Sequence, residues 1–416
     1  MEAVKFAVPD QEDDTVQISV VEKEEKPCKV VFATMCKNEE HCILETLASV
    51  ADHIDSWVVC DTGSSDNTCE IVQKFFDDRN IPGELFQDEW KGFEHNKTLM
   101  MQRCQDRADF ILHLDADDIF YGNLEDIKTM LRRNVSHYMM TVRRGQSMRY
   151  AATQFFNASL KWRIVGVRHT VHSIAENPNG ISTIGDDKTL MLENTYVHSR
   201  DTGARSADPK KYLIDGQLLA EQFFKTLYDD PDHINARSAF YAGQSYYDYS
   251  GGNDVESLEK SLQWYSLYLK LNNGWDEERF ESRLKIASIL PKLGRPTHEV
   301  KYNIDAALRL QPDRAEPRYY YGKYAAECGD FEEAYKYLKP ALNCDYEKAR
   351  AKYRLFVNKS VYGIPIKDEL AVACYWTGRG EEGYALVNEV LGTPGYENDE
   401  RILKNKQHFK DKYGYE

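Results

Sequence analysis

The sequence contains no apolar run that approaches the roughly 20 residues needed to cross a bilayer. Its first residues also lack the basic start and the apolar centre of a signal peptide, and carry Glu2, Asp10 and Glu12 instead. These absences argue against a spanning helix and against secretion. The expectation is therefore a cytoplasmic protein without a membrane span.

Basic residues are in deficit, with 53 Lys and Arg against 68 Asp and Glu, which gives a formal net charge of −15. A general nucleic-acid binder needs a basic footprint, so no nucleic-acid partner is expected. Cysteine pairs are also missing, because the nine cysteines are an odd number without Cys-x-x-Cys spacing. The sequence therefore indicates neither a structural zinc site nor a disulfide framework.

The chain has 416 residues, of which 42% are hydrophobic, so it is long enough for two or three domains with their own cores. Three segments differ in character. Residues 1–27 are a polar, acidic lead-in, residues 28–205 alternate between strand-like and helix-like patterns, and residues 206–416 show helical spacing throughout.

In the second segment, an apolar run at residues 30–35 precedes an amphipathic stretch with Ile43, Leu44, Leu47 and Val50 on its apolar face. A second apolar run at residues 57–60 precedes a polar loop and another helical pattern. This alternation predicts a parallel sheet, whose ligands bind beyond the carboxyl ends of the strands. Thr34, Asp61 and Asp115 are all expected near that edge.

Three acidic residues, Asp115, Asp117 and Asp118, follow a short apolar run that suits a buried strand. In an extended segment Asp115 and Asp117 would point the same way, and paired carboxylates suit a hard divalent cation that neutralises a diphosphate. The alternative is purely structural, since Asp117 or Asp118 is also a suitable cap for a helix starting near Asn123.

Four motifs follow one another along the chain in an order and spacing that are specific. They are residues 31–40 (VFATMCKNEE), residues 61–68 (DTGSSDNT), residues 89–97 (EWKGFEHNK) and residues 114–118 (LDADD). Together they resemble the nucleotide-sugar motifs of family 2 glycosyltransferases, over roughly residues 29 to 205. The resemblance implies a GT-A fold, an α/β Rossmann-like nucleotide-sugar domain, and a hexosyltransferase activity.

The resemblance also implies roles for individual residues. Thr34 and Asp61 would hold the uridine, Asp115 would serve the ribose and the metal, Asp117 would bind the metal, and Asn96 and Lys97 would lie by the diphosphate. The implied cofactors are Mn²⁺ or Mg²⁺ and a nucleotide-sugar donor that is UDP-linked.

Residues 162–170 (WRIVGVRHT) resemble the family's segment near the acceptor, but Thr170 stands where a Glu is expected. An inverting transfer needs a base beside the acceptor, so His169, His172 and Glu176 are the candidates for that catalytic role. Structural histidines are the alternative. His198 resembles a late metal ligand of the family, and imidazole is a suitable third partner for Mn²⁺.

A cluster of four basic residues follows at once, formed by Arg200, Arg205, Lys210 and Lys211. In an acidic protein such a cluster can bind phosphates or fold over them, and a solvated linker is the equal alternative.

In the third segment, Ala307 and Ala341 are 34 positions apart, as are Ile304 and Leu338. That spacing resembles the tetratricopeptide period, so about four stacked helical pairs are expected after the first domain. We expect these repeats to position a glycan, protein or small-molecule acceptor, or to bind a protein partner or a second copy of the chain.

Two hypotheses follow. In the first, the protein is a metal-dependent inverting glycosyltransferase acting on a UDP-sugar and an acceptor hydroxyl. In the second, it is a catalytically weak sugar-nucleotide-binding protein whose repeats act as a scaffold. The first hypothesis is favoured, because the sequence contains all of the candidate binding residues Asp61, Asp115, Asp117 and His198.

Overall fold

A computed structural model describes residues 26–145, 148–168, 171–176, 188–190, 195–200, 202–230 and 233–415. It contains an α/β domain followed by stacked helices, which confirms the predicted fold class. In these described ranges, no helix has the length and apolarity that crossing a membrane requires.

Eleven strands and four α-helices are described in the α/β domain. The strands are β1 (Val30–Cys36), β2 (Ser56–Asp61), β3 (Gly83–Gln87), β4 (Phe110–His113), β5 (Ile119–Tyr121), β6 (His137–Arg144), β7 (Met148–Asn157), β8 (Lys161–Val165), β9 (Val171–Glu176), β10 (Lys188–Leu190) and β11 (Tyr196–Ser199). The helices are α1 (Ile43–Val50), α2 (Thr68–Asp77), α3 (Phe93–Cys104) and α4 (Leu124–Met130).

The main sheet runs in the order β3-β2-β1-β4-β7-β6-β11-β5, with β10 also pairing with β6, and β8 and β9 form a separate hairpin. The first four strands in that order are parallel to one another. Register places Cys36 beside Asp61 and Ala33 beside His113, so the carboxyl ends of β1, β2 and β4 meet at one edge. The predicted parallel strands therefore share one carboxyl edge, and ligand binding there stays a prediction.

Alternating side chains along these strands bury apolar surface on both faces of the sheet. One face packs against α1, α2 and α4 through residues such as Leu47 and Phe76, and the other packs against α3 and β8 through Met100 and Ile164. Leu44 was wrongly predicted on the buried face of α1. It is 51% exposed, because it lies about 100° around the helix from Ile43.

The acidic residues after β4 form a turn, and they do not continue the strand. The Asp118 amide donates to the Asp115 carbonyl at 3.0 Å, and β5 starts at Ile119. Since β5 intervenes, neither Asp117 nor Asp118 caps α4. The cap is Asn123, whose side chain accepts from the Glu125 amide, so the cap-only interpretation of this acidic cluster is wrong.

A 3₁₀ helix (Ala204–Ala207) leads into the helical domain. Its helices are α5 (Lys211–Lys225), α6 (Asn235–Tyr249), α7 (Val255–Tyr268), α8 (Asp276–Lys292), α9 (Thr297–Leu310), α10 (Glu316–Glu327), α11 (Phe331–Ala341), α12 (Tyr346–Lys352), α13 (Ile364–Trp376), α14 (Gly380–Leu391) and α15 (Glu400–Tyr413). A second 3₁₀ turn (Lys359–Val361) precedes α13.

Four helical pairs, α6–α7, α8–α9, α10–α11 and α13–α14, repeat along this domain. Ile304 and Leu338 are both buried, as are Ala307 and Ala341, and each pair occupies equivalent positions of α9 and α11. The 34-residue spacing therefore marks the residues through which successive pairs bury one another's apolar faces.

The two domains are joined by direct contacts. Val167 packs into the apolar core of the helical domain, and its amide donates to the Gln222 side chain of α5 at 3.0 Å. Further along, Arg350 of α12 donates to the Thr141 hydroxyl of β6 at 3.4 Å. The helical domain thus touches the sheet domain at both its first helix and its middle.

Candidate active site

A cavity of about 620 Å³ lies at the carboxyl edge of the parallel strands, and we call it the strand-end cavity. Its volume falls within the range of small-molecule sites. It is lined by Met35, Cys36, Lys37, Asn38, Glu39, Thr62, Trp90, Phe93, Lys97, Asp115, Ala116, Asp117, Arg168, Gly203, Ala204, Arg205, Ser206 and Lys211.

One wall of this cavity carries the two acids of the Asp-x-Asp sequence. Asp115 is largely exposed to the cavity and forms an ion pair with Lys97 at 3.3 Å. Asp117 accepts a hydrogen bond from the Gly203 amide at 2.8 Å. The structure therefore brings Asp115, Asp117 and Lys97 together, through the turn at residues 115–118.

Glu39 lies beside these acids and ties them to the segment after β11. Its carboxylate accepts from the Ala204 amide at 3.1 Å. A Cβ atom added at Gly203 would lie 3.2 Å from an Asp117 oxygen and 3.4 Å from a Glu39 oxygen, which is tighter than most contacts allow. Glycine at position 203 therefore lets this backbone close over both carboxylates.

Another part of the lining of the strand-end cavity is basic. Arg168 pairs with Asp215 of α5 at 2.8 Å, and Arg205 forms an ion pair with the same carboxylate. Both guanidinium groups lie over the Phe93 ring, at 4.2 and 5.9 Å from its centroid. Asp215 is 3% exposed, so one buried carboxylate of the helical domain fixes two arginines of the cavity.

Burial favours the neutral form of two carboxyl groups, those of Asp117 and Asp118. The pKa of Asp117 is raised by burial, and the nearby Asp115 carboxylate adds to the rise. The pKa of Asp118, which faces Ser199, is raised for the same two reasons. Crowded carboxylates of this kind would gain from a bound cation.

The structure places Asp61 and Thr34 behind the rim of the cavity. Asp61 is buried and accepts from the amides of Gly63 and Ser64, each at 3.0 Å, and from the Ser64 hydroxyl. The Thr34 hydroxyl is fully buried and has no hydrogen-bond partner among the residues that the structure describes. Thr62, the residue after Asp61, lines the cavity itself.

Asn96 has a local partner for both ends of its side-chain amide. Its oxygen accepts from the Lys91 amide at 2.8 Å, and its nitrogen donates to the Glu89 carbonyl at 3.0 Å. Asn96 therefore holds the loop that presents Trp90, whose ring packs on Phe93 in the cavity wall. Lys97, by contrast, reaches the cavity directly.

His198 does not line the strand-end cavity. Its backbone pairs with Ile119, two residues after Asp117, while its ring lies 6.3 Å from the Tyr121 ring. The role of His198 as a metal ligand stays a prediction. Arg200, which follows on the chain, donates to the Asp117 carbonyl at 2.7 Å and pairs with Glu45.

Within the described ranges, three potential metal-ligand atoms come within 4.8 Å of one another only at Glu39, His41 and Cys42. His41 is engaged with the Thr202 carbonyl at 2.6 Å, and burial raises the pKa of the Cys42 thiol to about 12. This cluster therefore suits loop closure better than metal binding.

The three candidate bases are placed unequally. His169 lies outside the described residues, while His172 and Glu176 belong to β9 and pair through their backbones with Ile164 and Lys161 of β8. Their catalytic roles stay predictions. Of the basic cluster, Arg205 and Lys211 line the cavity, and Lys210 does not.

A second hollow continues from the strand-end cavity between α3 and α5, and we call it the apolar groove. It has a volume of about 810 Å³ and shares Trp90, Phe93, Arg168 and Arg205 with the cavity. Besides polar residues of α3 and β8, the remaining lining contains the apolar side chains Leu99, Ile164, Val167, Ile214 and Leu218.

Three residues of this site, Glu39, Arg168 and Asp215, were not predicted from the sequence. Glu39 belongs to the motif at residues 31–40, and its position after a predicted strand could have identified it as a candidate site residue. Asp215 gave no signal, because its role depends on where α5 packs. A side chain 47 positions beyond Arg168 becomes its partner only through the tertiary structure.

Comparison with known families gives one match along the sequence. Residues 32–178 match the sequence model described as Glycosyl transferase family 2. No curated protein matches the chain significantly.

Among solved structures, the chain is similar to S. aureus TarS (residues 1–349), with 15% identity and a TM-score of 0.34, over 66% of this chain and 91% of that one. It is similar to the mannosyltransferase PcManGT from Pyrobaculum calidifontis, with 12% identity and a TM-score of 0.34, over 64% and 87%. It is also similar to a tetratricopeptide repeat protein from Parabacteroides merdae, with 12% identity and a TM-score of 0.32, over 48% and 73%.

Proposed function

We propose that this chain, of which residues 32–178 match the model described as Glycosyl transferase family 2, is a glycosyltransferase that is metal-dependent, inverting and specific for a UDP-sugar. The observation that carries the proposal is the strand-end cavity. Its lining brings together two aspartates, two arginines and three lysines. This pairing of charges suits a ligand that contains both a metal-bound diphosphate and a neutral sugar.

The residues present fit a hard divalent cation. Asp115 and Asp117 both line the cavity, and Asp117 has a pKa raised by burial and by Asp115, a crowding that a cation relieves. Mn²⁺ or Mg²⁺ held there would neutralise negative charge on the leaving nucleoside diphosphate. His198 is the proposed third ligand, at the end of β11.

The chain's own cations hold the phosphates from the other side. Arg168 and Arg205 are oriented by Asp215 and Phe93, and Lys97 and Lys211 complete the set around the cavity. Guanidinium groups fixed before the ligand arrives lose little freedom on binding it. Thr34 and Asp61 lie toward the end where the uridine is proposed, and the loop at residues 62–64 shapes that end.

In the transfer itself, the acceptor oxygen forms a bond to the anomeric carbon while the bond from that carbon to the diphosphate oxygen breaks. Attack from the face opposite the diphosphate inverts the configuration. The acceptor proton passes to a base, for which His169, His172 and Glu176 are the proposed candidates. The diphosphate leaves with the electron pair of the broken bond.

The proposal is tested by incubating the full chain with UDP-glucose, UDP-galactose, UDP-N-acetylglucosamine and GDP-mannose, each with Mn²⁺, with Mg²⁺ or with chelator. Slow hydrolysis of one or more UDP-sugars that requires the metal is expected. Equal hydrolysis with chelator, or hydrolysis of GDP-mannose alone, would contradict the metal or the nucleotide assignment, respectively.

Replacement of Asp61 by alanine is expected to weaken UDP binding at least tenfold more than the binding of inorganic diphosphate, because only the nucleoside end of the site is disturbed. Calorimetric titration of both ligands in the presence of Mn²⁺ measures this difference. Exposed Asp52, at the end of α1, gives the control variant Asp52→Ala. Equal weakening of both ligands would show that the buried Asp61 carboxylate supports the whole rim instead.

A further inference from the structure

Arg200 lies just after β11, opposite the turn that carries the acidic residues. In the antiparallel pairing of β11 with β5, His198 lies beside Ile119. Continuing this register by two residues puts Arg200 opposite Asp117. The Arg200 Nε atom donates to the Asp117 carbonyl at 2.7 Å. The pairing of these two strands therefore brings the guanidinium group onto the turn.

We propose that Arg200 is a positioning residue for the metal site, which holds the Asp117 backbone so that the carboxylates of Asp115 and Asp117 keep the orientation that a divalent cation needs. This inference rests on the proposed function, because it concerns the cation proposed there. It adds a residue that does not line the strand-end cavity and acts only through the backbone of a proposed ligand.

The first argument is that the chain after β11 holds Asp117 at two points. Arg200 binds its carbonyl, and the Gly203 amide donates to its carboxylate at 2.8 Å. A residue fixed at both its backbone and its side chain has one orientation before a cation arrives, so it loses little freedom on binding. Groups that orient a ligand in this way tune the affinity of a metal site.

The second argument is that the next position of the turn is held by the same register. Ser199 falls opposite Asp118 and is hydrogen-bonded to its side chain. The end of β11 thus contacts two consecutive residues of the turn, one through Ser199 and one through Arg200. The turn therefore depends on β11 in addition to its own hydrogen bond from the Asp118 amide to the Asp115 carbonyl.

The third argument is that the geometry requires an arginine. The Nε atom of Arg200 contacts the Asp117 carbonyl, while its Nη1 atom pairs with Glu45 of α1. Two nitrogens of one rigid plane thus bind two partners in fixed directions. A lysine has the same charge but a single nitrogen on a flexible stem, so it cannot reproduce both contacts in this geometry.

The fourth argument is that stability does not account for the position of this side chain. Its surface is only 17% exposed, and its Nη2 atom is buried without a hydrogen-bond partner among the described residues. A buried donor without a partner lowers stability. The ion pair with Glu45 offsets little of that cost, because Glu45 is 64% exposed. A role at the turn explains why a guanidinium group lies here.

The test measures the affinity for Mn²⁺ separately from turnover. Mn²⁺ is titrated into the full chain with saturating UDP, and the electron paramagnetic resonance signal of free Mn²⁺ gives the half-saturating concentration. Arg200→Met removes both contacts, and Arg200→Lys keeps the charge. Glu45→Gln is the matched control, because it removes the ion pair and leaves the donor to Asp117 in place.

The half-saturating Mn²⁺ concentration is expected to rise about tenfold in Arg200→Met and in Arg200→Lys, and to stay at the wild-type value in Glu45→Gln. UDP binding in chelator should be the same in all four proteins, since the basic residues of the cavity are unchanged. If Arg200→Met does not fold, Arg200→Lys decides the question by itself.

Urea unfolding of the same proteins identifies a merely structural role. Such a role would lower the free energy of unfolding of the Arg200 variants and leave their Mn²⁺ affinity unchanged, which would overturn the inference. Wild-type Mn²⁺ affinity in Arg200→Lys would also overturn it, because charge would then suffice. An equal loss of affinity in Glu45→Gln would do the same, because it would assign the effect to the ion pair with α1.

Failure of the proposed metal site has a different signature. In that case Mn²⁺ does not bind to the wild type with UDP, and the inference is overturned together with the metal assignment. A wild type that binds Mn²⁺, with Arg200 variants that bind it equally well, overturns the inference alone.

Discussion

Replacement of Asp115 by asparagine is expected to lower kcat/KM for sugar transfer by about 100-fold or more, with little change in the free energy of unfolding. The carboxylate has 63% of its side-chain surface exposed and pairs with Lys97 at 3.3 Å. A pair as open as this contributes about 0–1 kcal/mol to stability. Its loss should therefore act on ligand and metal binding and leave the fold intact.

Calorimetric titration of UDP with and without Mn²⁺ measures the effect on binding. The wild type should bind more tightly with the metal, and Asp115→Asn should bind equally in both conditions. Asp126→Asn, at an exposed position of α4, removes a charge of the same sign without touching the cavity. If Mn²⁺ raises the affinity of Asp115→Asn for UDP as much as it raises that of the wild type, Asp115 is not a metal ligand.

Replacement of Asp215 by alanine is expected to destabilise the protein and to weaken nucleotide binding even without metal. The buried carboxylate pairs with Arg168 and Arg205, so its loss leaves two guanidinium groups without their shared partner. Removing one member of a buried ion pair costs about 3–5 kcal/mol, and about 2 kcal/mol is expected here because Arg205 is partly exposed.

Urea unfolding measures the stability change, and titration of UDP in chelator measures the loss of the basic wall, for which about tenfold weaker binding is expected. Glu221→Ala, an exposed carboxylate on the same helix, is the matched control. If Asp215→Ala unfolds at lower urea but binds UDP normally, Asp215 has a structural role and does not position the two arginines for the phosphates.

The position of Asp215 also changes what a shortened chain should do. A chain ending near Arg205 would retain the strand ends and both arginines. The structure shows that such a chain lacks the carboxylate that fixes Arg168 and Arg205, together with Lys211 of the cavity wall. The helical domain therefore contributes to the cavity that we propose as the donor site.

The periodicity of apolar residues and the polar residues at strand ends determined much of the fold and of the candidate site. Alternating apolar runs and helical patterns predicted the α/β domain, because a parallel sheet must be buried on both faces. A 34-residue spacing predicted stacked helical pairs, because each pair must bury its neighbour's apolar face. The position of Asp115 after a buried run predicted its place at the ligand edge. All of these depend on residues that are close in sequence.

Only the tertiary structure decided how distant segments meet. It closed Gly203 onto Asp117 and paired Asp215 of α5 with Arg168. It also turned the acidic residues away from α4, which Asn123 caps. None of these contacts leaves a periodic signal, because each depends on the angle at which one packed element crosses another. The sequence therefore placed the acidic residues at the carboxyl edge of the sheet, and the packing of the helical domain decided what surrounds them.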